Sequence, residues 1–179
     1  MASGEPGVIM TTERLLLREL VRGDLDGLAA ILGDPIAMRF YLHPFSRAET
    51  RDWILRNQTR YAEDGFGLWA VVLKETGEIT GDCGLTIQTV EGVPELEVGY
   101  HVKRSRWGQG LATEAAMACR DYAFTRLERD RLISISTRGN AASQGVAVKL
   151  GMTFEKNVMY KGLWQVIMSM QRPRGPGPS

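Results

Sequence analysis

The chain has 179 residues, of which 44% are hydrophobic and 24% charged, and its 22 basic and 21 acidic residues leave a net charge of +1. This composition is that of one ordinary globular domain and argues against a fibre, a disordered chain or a membrane span. The near-neutral charge gives no reason to expect a nucleic-acid or polyanion partner. Two cysteines (Cys83, Cys119) and two histidines (His43, His101) are too few for a disulfide framework or a metal cluster. The opening residues show no basic region followed by an apolar stretch, and no apolar run approaches the ~18–20 residues of a membrane helix. The expectation is a cytoplasmic protein with no metal and no membrane partner.

Residues 1–10 contain Gly4, Pro6 and Gly7 and carry no element signal; they are expected to be flexible, as is the Pro/Gly-rich tail 172–179. Residues 11–171 read as a single domain. Arg14–Leu20 reads as a strand. Leu25, Leu28 and Leu32 lie at helical spacing in 24–32, stopped by Gly33-Asp34-Pro35. Ser46-Arg47-Ala48-Glu49 is a capping-box pattern and predicts a helix running to about Glu63. Strands 67–73 and 79–88 are joined as a hairpin through Glu75–Glu78. In strand 95–102, Leu96, Val98, Tyr100 and Val102 alternate with Glu95, Glu97, Gly99 and His101, so Glu97 and His101 share the face opposite the apolar row. A helix from about Gly110 to Leu127, a strand 131–136, a helix 140–150 opened by Asn140, and strands 152–157 and 163–170 complete the chain. This order gives a mixed α/β domain, and the helix between strands 95–102 and 131–136 suggests a parallel pair with a crossover.

The strongest local signal is Trp107-Gly108-Gln109-Gly110-Leu111-Ala112-Thr113-Glu114-Ala115. Glycines immediately before and at a helix start let the backbone approach a ligand closely. The first turn of the helix has N–H groups without internal partners, at the positive end of the helix dipole. Such a turn is a site for a diphosphate or similar anion, unless it merely tightens the strand–helix junction. A P-loop would need Lys-Ser/Thr after Gly110, where Leu111-Ala112 stand. A dinucleotide fingerprint would need a third glycine where Thr113 stands.

The stretch resembles the acyl-CoA-binding motif of the GNAT superfamily of N-acyltransferases, Gln/Arg-x-x-Gly-x-Gly/Ala. Gly110 and Ala112 match its last positions, and Trp107 departs from its first. The spelling is similar to the ribosomal-protein N-terminal acetyltransferase branch. So are Thr12–Arg18, Glu97-Val98-Gly99-Tyr100, Asn140-Ala141-Ala142-Ser143 and Lys149–Met152. The resemblance spans residues ~12–170 in order, which is far more specific than one glycine turn.

The resemblance implies the GNAT fold: a mostly antiparallel sheet of about six or seven strands, a parallel pair splayed at the cofactor site, and four helices. It implies that the amides of Gly108, Gln109, Gly110, Leu111, Ala112 and Thr113 bind the diphosphate of acetyl-CoA. The pantetheine arm would pair with backbone near Tyr100, His101 and Val102. Asn140 would bond the arm, cap its helix, or do both. A bulge in the strand usually opens the gap, with Gly99 as its site, the alternative being close packing of a helix there. Glu97 is the expected catalytic base and His101 the second candidate. The N–H of Val98 or Gly99 would hold the thioester oxygen. Ala147 stands where many relatives carry a tyrosine acid, and Ser143 would take that role or be an ordinary polar residue of the helix. Lys103, Arg104 and Arg106 are placed to meet cofactor phosphates. The loop Asp34–Ser46, Trp69 and the Tyr160–Trp164 turn would line an acceptor pocket, and Cys83 and Cys119 read as small buried apolar residues. The implied activity is transfer of an acetyl group from acetyl-CoA to a primary amine, a protein N-terminus or a small molecule, by direct attack. A homodimer is also compatible with the resemblance. A catalytically weak acyl-CoA-binding sensor or interaction module with the same fold is the alternative, prompted by the absent tyrosine.

Overall fold

Local sequence rules set most of the elements, and the computed structural model describes residues 7–173 of them. β1 (Val8–Thr11) and β2 (Leu15–Arg18) open the chain. α1 (Leu25–Leu32) follows a 3-10 turn, and α2 (Arg47–Glu63) begins at the predicted capping box. Ser46 Oγ accepts from Glu49 N–H at 3.2 Å, and Glu49 Oε2 accepts from Ser46 N–H at 2.7 Å. β3 (Leu68–Leu73), β4 (Ile79–Val90) and β5 (Val93–Val102) form a meander. α3 (Leu111–Thr125), β6 (Arg131–Thr137), α4 (Ala141–Lys149), β7 (Thr153–Tyr160) and β8 (Leu163–Gln171) complete the domain.

β1 is an addition to the sequence reading, which left residues 1–10 without an element. It pairs antiparallel with β2 at the sheet edge, Val8 opposite Arg18. Residues 1–6 and 174–179 lie outside the described part, so the expectations placed on them go no further. Arg172 still donates its N–H to Asp130 at 2.7 Å.

The eight strands form one sheet in the order β1-β2-β3-β4-β5-β6-β8-β7. All neighbours are antiparallel except β5 and β6. Strand alternation splits the core in two. Trp69, Val71, Cys83, Leu85, Leu96 and Val98 pack under α3 and α4 with Leu111, Ala115, Cys119 and Ala147. Ala70 on the other face packs with Leu28, Leu32 and Ile54 of α1 and α2. Glu97, Gly99 and His101 therefore project to the α1–α2 side, as their alternation predicts. Among the described residues no helix is long and apolar enough to cross a membrane.

The sheet opens between its two halves. β5 pairs with β4 from Val93 to Val102 without a register shift, but with β6 at one position only, Glu97 opposite Ile133. β6 instead follows β8 along its whole length. No bulge at Gly99 makes this gap. A Cβ there would meet only Leu68 Cδ2, at 3.6 Å, so Gly99 is not packed against a helix either. The opening comes from two strands each committed to its outer neighbour in a twisting sheet.

Candidate active site

The glycine turn presents its amides outward. Gly108 and Gly110 have φ of +76° and +77°, the left-handed region that favours glycine. The first helical bond runs from Glu114 N–H to Gly110 C=O at 3.0 Å. Among the described residues no backbone carbonyl takes the N–H groups of residues 108–113. The turn is tied down from behind. Arg14 Nη1 donates to Gln109 C=O at 2.8 Å, and Arg14 is itself held by Glu114 at 2.7 Å. Glu114 also accepts from Thr12 Oγ1 at 2.5 Å and Arg14 N–H at 2.9 Å. The carbonyl of Gln109 faces Arg14, which leaves the donors of the turn to a ligand. Arg14 and Glu114 are site-supporting residues that sequence reasoning missed; the 100-residue separation carries no local signal.

Next to the turn runs the open edge of β5. Lys103 N–H donates to Thr80 C=O at 2.7 Å, which fixes the alternation along the β4–β5 pair. The backbone groups of Glu97, Gly99 and His101 face β4, and those of Val98, Tyr100 and Val102 face β6. The single rung at Glu97–Ile133 uses the Val98 N–H. Trp107 Nε1 donates to Val102 C=O at 2.9 Å. The first N–H free in the gap is therefore that of Tyr100, which corrects the expectation that Val98 or Gly99 supplies an oxyanion donor. His101 offers the gap no backbone group either; its share in the site is its side chain.

On the far wall, Asn140 lines the cleft and caps α4, its Oδ1 accepting from Ser143 N–H at 3.1 Å. Tyr100 Oη donates to Ser143 C=O at 2.7 Å and lies 3.2 Å from Ser143 Oγ. Burial pushes the Tyr100 hydroxyl upward, so it keeps its proton at neutral pH. Ala147 is fully buried in the core.

These parts line one cleft of about 800 Å³, with Glu97, Gly99, Tyr100, His101, Gly108, residues 110–113 and Ser143 along it. Glu97 is half-buried on its floor. Its Oε2 accepts from Thr86 Oγ1 at 3.2 Å, and Thr86 in turn accepts from Gln88 Nε2 at 3.0 Å. Burial raises the Glu97 carboxyl above the ordinary carboxylate range, against the pull of Thr86, Gln88 and Lys161. Tyr160 Oη donates to Gln88 Oε1 at 2.6 Å, closing that end with the β7–β8 turn. Trp53 and Arg60 of α2 and the 37–45 loop form the other wall.

One expected contributor is elsewhere, and three expected cations are engaged by carboxylates. Trp69 lies under α3 against Tyr122, ring centroids 5.4 Å apart, because both faces of β3 are buried. Lys103 and Arg106 are both held by Glu78, and Arg104 by Asp34 at 2.8 Å. Each of these cations contacts a carboxylate, with Glu78 shared between two of them, and Arg106 also lines the cleft. Cys83 and Cys119 are buried in the core, Sγ to Sγ 3.5 Å, outside the cleft lining.

A splayed parallel pair, a glycine turn with unpaired amides and a half-buried carboxylate thus meet in one cleft. The acetyltransferase (GNAT) domain family matches residues 14–153, and the chain belongs to that family. It is 36% identical over 150 residues to YkkB of Bacillus subtilis strain 168, covering 83% of this chain and 87% of that protein. An acetyltransferase from Agrobacterium tumefaciens strain C58 superposes with a TM-score of 0.78 at 26% identity, over 93% of this chain and 99% of its own. RimL, a ribosomal L7/L12 α-N-protein acetyltransferase solved with coenzyme A, superposes with a TM-score of 0.76 at 19% identity, over 92% and 98%. The protein is a GNAT N-acetyltransferase, an enzyme of a family that uses acetyl-CoA.

Proposed function

We propose that the enzyme acetylates a primary amine, a protein N-terminus or a small molecule, by direct attack on acetyl-CoA. The observation that carries this reading is the continuity of three features in one cleft: the 108–113 turn with its unpaired amides, five of its residues lining the cleft, the unpaired β5 edge at Tyr100, and the Glu97 carboxyl. When bound, acetyl-CoA supplies an activated acyl carbon with a thiol leaving group. Gly108, Gln109, Gly110, Leu111, Ala112 and Thr113 hold its diphosphate by N–H donation at the positive end of α3. Tyr100 and Val102 offer backbone groups to its amide-rich arm, as an added strand would use them. Asn140 shapes the far wall by capping α4 beside it.

Glu97 accepts the proton that the acceptor nitrogen loses as the new C–N bond forms, a role suited to a carboxyl that burial raises above its ordinary value. Ser143 Oγ, in reach of Tyr100 Oη, returns a proton to the departing sulfur. A covalent acyl-cysteine route is disfavoured, since burial lifts the Cys83 thiol and Cys119 lies beside it in the core.

Calorimetry with acetyl-CoA and thiol release over a panel of primary amines test the reading. Binding weakened by Gly110→Val, with acetylation of at least one amine, is the expected result. Undiminished binding in that variant would overturn the cofactor assignment. Tight binding with no transfer to any amine would favour the binding-only alternative that Ala147 prompts.

A further inference from the structure

A second titratable group stands on the floor of the cleft. Gly99 is flanked on β5 by Glu97 two residues before and His101 two residues after, and both side chains project to the α1–α2 side. His101 lies directly opposite Asp82 of β4 in the register. Its Nδ1 is 2.6 Å from Asp82 Oδ1. Asp82 is fully buried, and its Oδ2 accepts from Trp53 Nε1 of α2 at 2.8 Å. His101 Nε2 is buried without any partner, although the residue lines the cleft. The ring of Tyr41 covers it from the 34–46 loop, centroids 5.2 Å apart.

This arrangement favours one tautomer of the neutral ring. Asp82 already accepts from Trp53 Nε1 through one oxygen; with its other oxygen accepting from Nδ1–H, a neutral His101 keeps a bare lone pair at the buried Nε2, in a residue that lines the cleft. A buried polar atom with no partner costs stability, on the order of 1–3 kcal/mol. A site that keeps one beside a carboxylate pair and an open cleft is built to receive a donor.

The stoichiometry of the reaction supplies that donor. An alkylamine enters chiefly as R–NH3+. The C–N bond forms, the C–S bond breaks, and the nitrogen sheds two protons per turnover. One proton ends on the thiol and the other goes to water. The nitrogen is a weak acid before attack and a far stronger one once bonded to the acyl carbon. The first proton needs the stronger base and the second suits a carboxylate. Building on the proposed function, we infer that His101 Nε2 takes the first proton from the incoming ammonium, while Asp82 and Trp53 are positioning residues that hold the ring. The first proton then leaves from the imidazole to solvent, and the second passes through Glu97 as above.

The charged and titratable groups facing His101 are Asp82 on β4, Glu97 on β5 and Tyr41 in the loop; α2 presents the neutral Trp53 and, beside it on the cleft wall, the charged Arg60. Burial alone would lower the His101 imidazole, but the two carboxylates outweigh it and leave it raised.

Two measurements test the assignment. Nitrogen-15 NMR of the unliganded protein should show His101 with its proton on Nδ1 and a bare Nε2 that titrates between about pH 5 and 9. Asp82→Asn should abolish that tautomer preference. A proton resident on Nε2 in the neutral ring, or no titration in that range, overturns the proposal whatever the activity. Kinetically, His101→Gln, checked for folding by its acetyl-CoA affinity, should lower kcat/KM for benzylamine by about 10²-fold at pH 7. The deficit should shrink as pH rises, and stay within about threefold for phenylhydrazine, which is already neutral at pH 7. Glu97→Gln should impair both acceptors. Equal loss with both acceptors in His101→Gln would mean a structural histidine and refute the assignment. Inactivity of the unaltered enzyme toward every amine would instead sink the proposed function, with the NMR result still deciding the state of the ring.

Discussion

Replacing Glu97 by glutamine should move activity and stability in opposite directions. The carboxyl is lifted above its ordinary value chiefly by burial, and the hydrogen bond from Thr86 Oγ1, at 3.2 Å, is a long one. A glutamine carbonyl keeps that bond and removes the cost of a desolvated charge. Losing the base should cut turnover by about 10²–10⁴-fold with little change in acetyl-CoA affinity, because Glu97 is not among the groups assigned to hold the diphosphate or the arm. Relieving a poorly compensated buried charge acts on a scale of about 1 kcal/mol. For a chain of this size that raises Tm by roughly 2–4 °C. The sign has a pH signature. Below 4.5, the unperturbed carboxyl value, Glu97 is protonated in both the folded and unfolded states, and the variant gains nothing. The gain should grow as pH rises past that value and level off above the raised folded value. Thermal unfolding from pH 4 to 8 in parallel with steady-state thiol release measures both. Full activity in the variant would remove Glu97 from the chemistry. A loss of stability at neutral pH would refute the account of its environment.

The glycine turn gives a second expectation. A Cβ at Gly110 meets only Arg14 Nη2, at 3.5 Å, so Gly110→Ala pays no clash and only the left-handed backbone penalty of ~1–2 kcal/mol. Relaxing that strain re-aims the amides, and acetyl-CoA affinity should fall about tenfold by calorimetry. Glu114 anchors the same turn. Burial works to raise its carboxyl, but the bonds from Thr12 and Arg14 win and hold it below the ordinary range. The stability it contributes is complete above 4.5 and lost as pH falls through its depressed value. Glu114→Ala should therefore lower Tm at pH 7 and leave it unchanged at strongly acidic pH, as read by circular dichroism. Finally, Cys83 and Cys119 should resist iodoacetamide in the folded protein and react only on unfolding; rapid labelling of the native chain would show that the core thiols are reached from the cleft.

The features legible in the sequence are those that a few consecutive residues impose on themselves. The start of α2 follows from Ser46 and Glu49 bonding each other's backbone. Strict alternation places Glu97 and His101 on one face of β5. The glycines at 108 and 110 take the left-handed φ that the turn needs, and their spelling led to the family. β1 escaped because four residues beside Pro6 and Gly7 carry no periodicity; an edge pairing with β2 makes them a strand. Trp69 could not be assigned to a face because β3 is buried on both sides.

Partnership across the sheet was decided by tertiary structure alone. Asp82 meets His101 because β4 and β5 pair in one register, and a single-residue slip would turn the carboxylate to the other face. Arg14 reaches Gln109, and Lys103 and Arg106 share Glu78, only after remote strands come together. The opening that admits a ligand needs no residue of its own, since it arises where β5 and β6 keep faith with different neighbours. Backbone preference acts within a turn or two of the chain, so sequence fixes which side chains share a face. Which groups meet across a gap depends on how distant strands stack, and on that the linear order is silent.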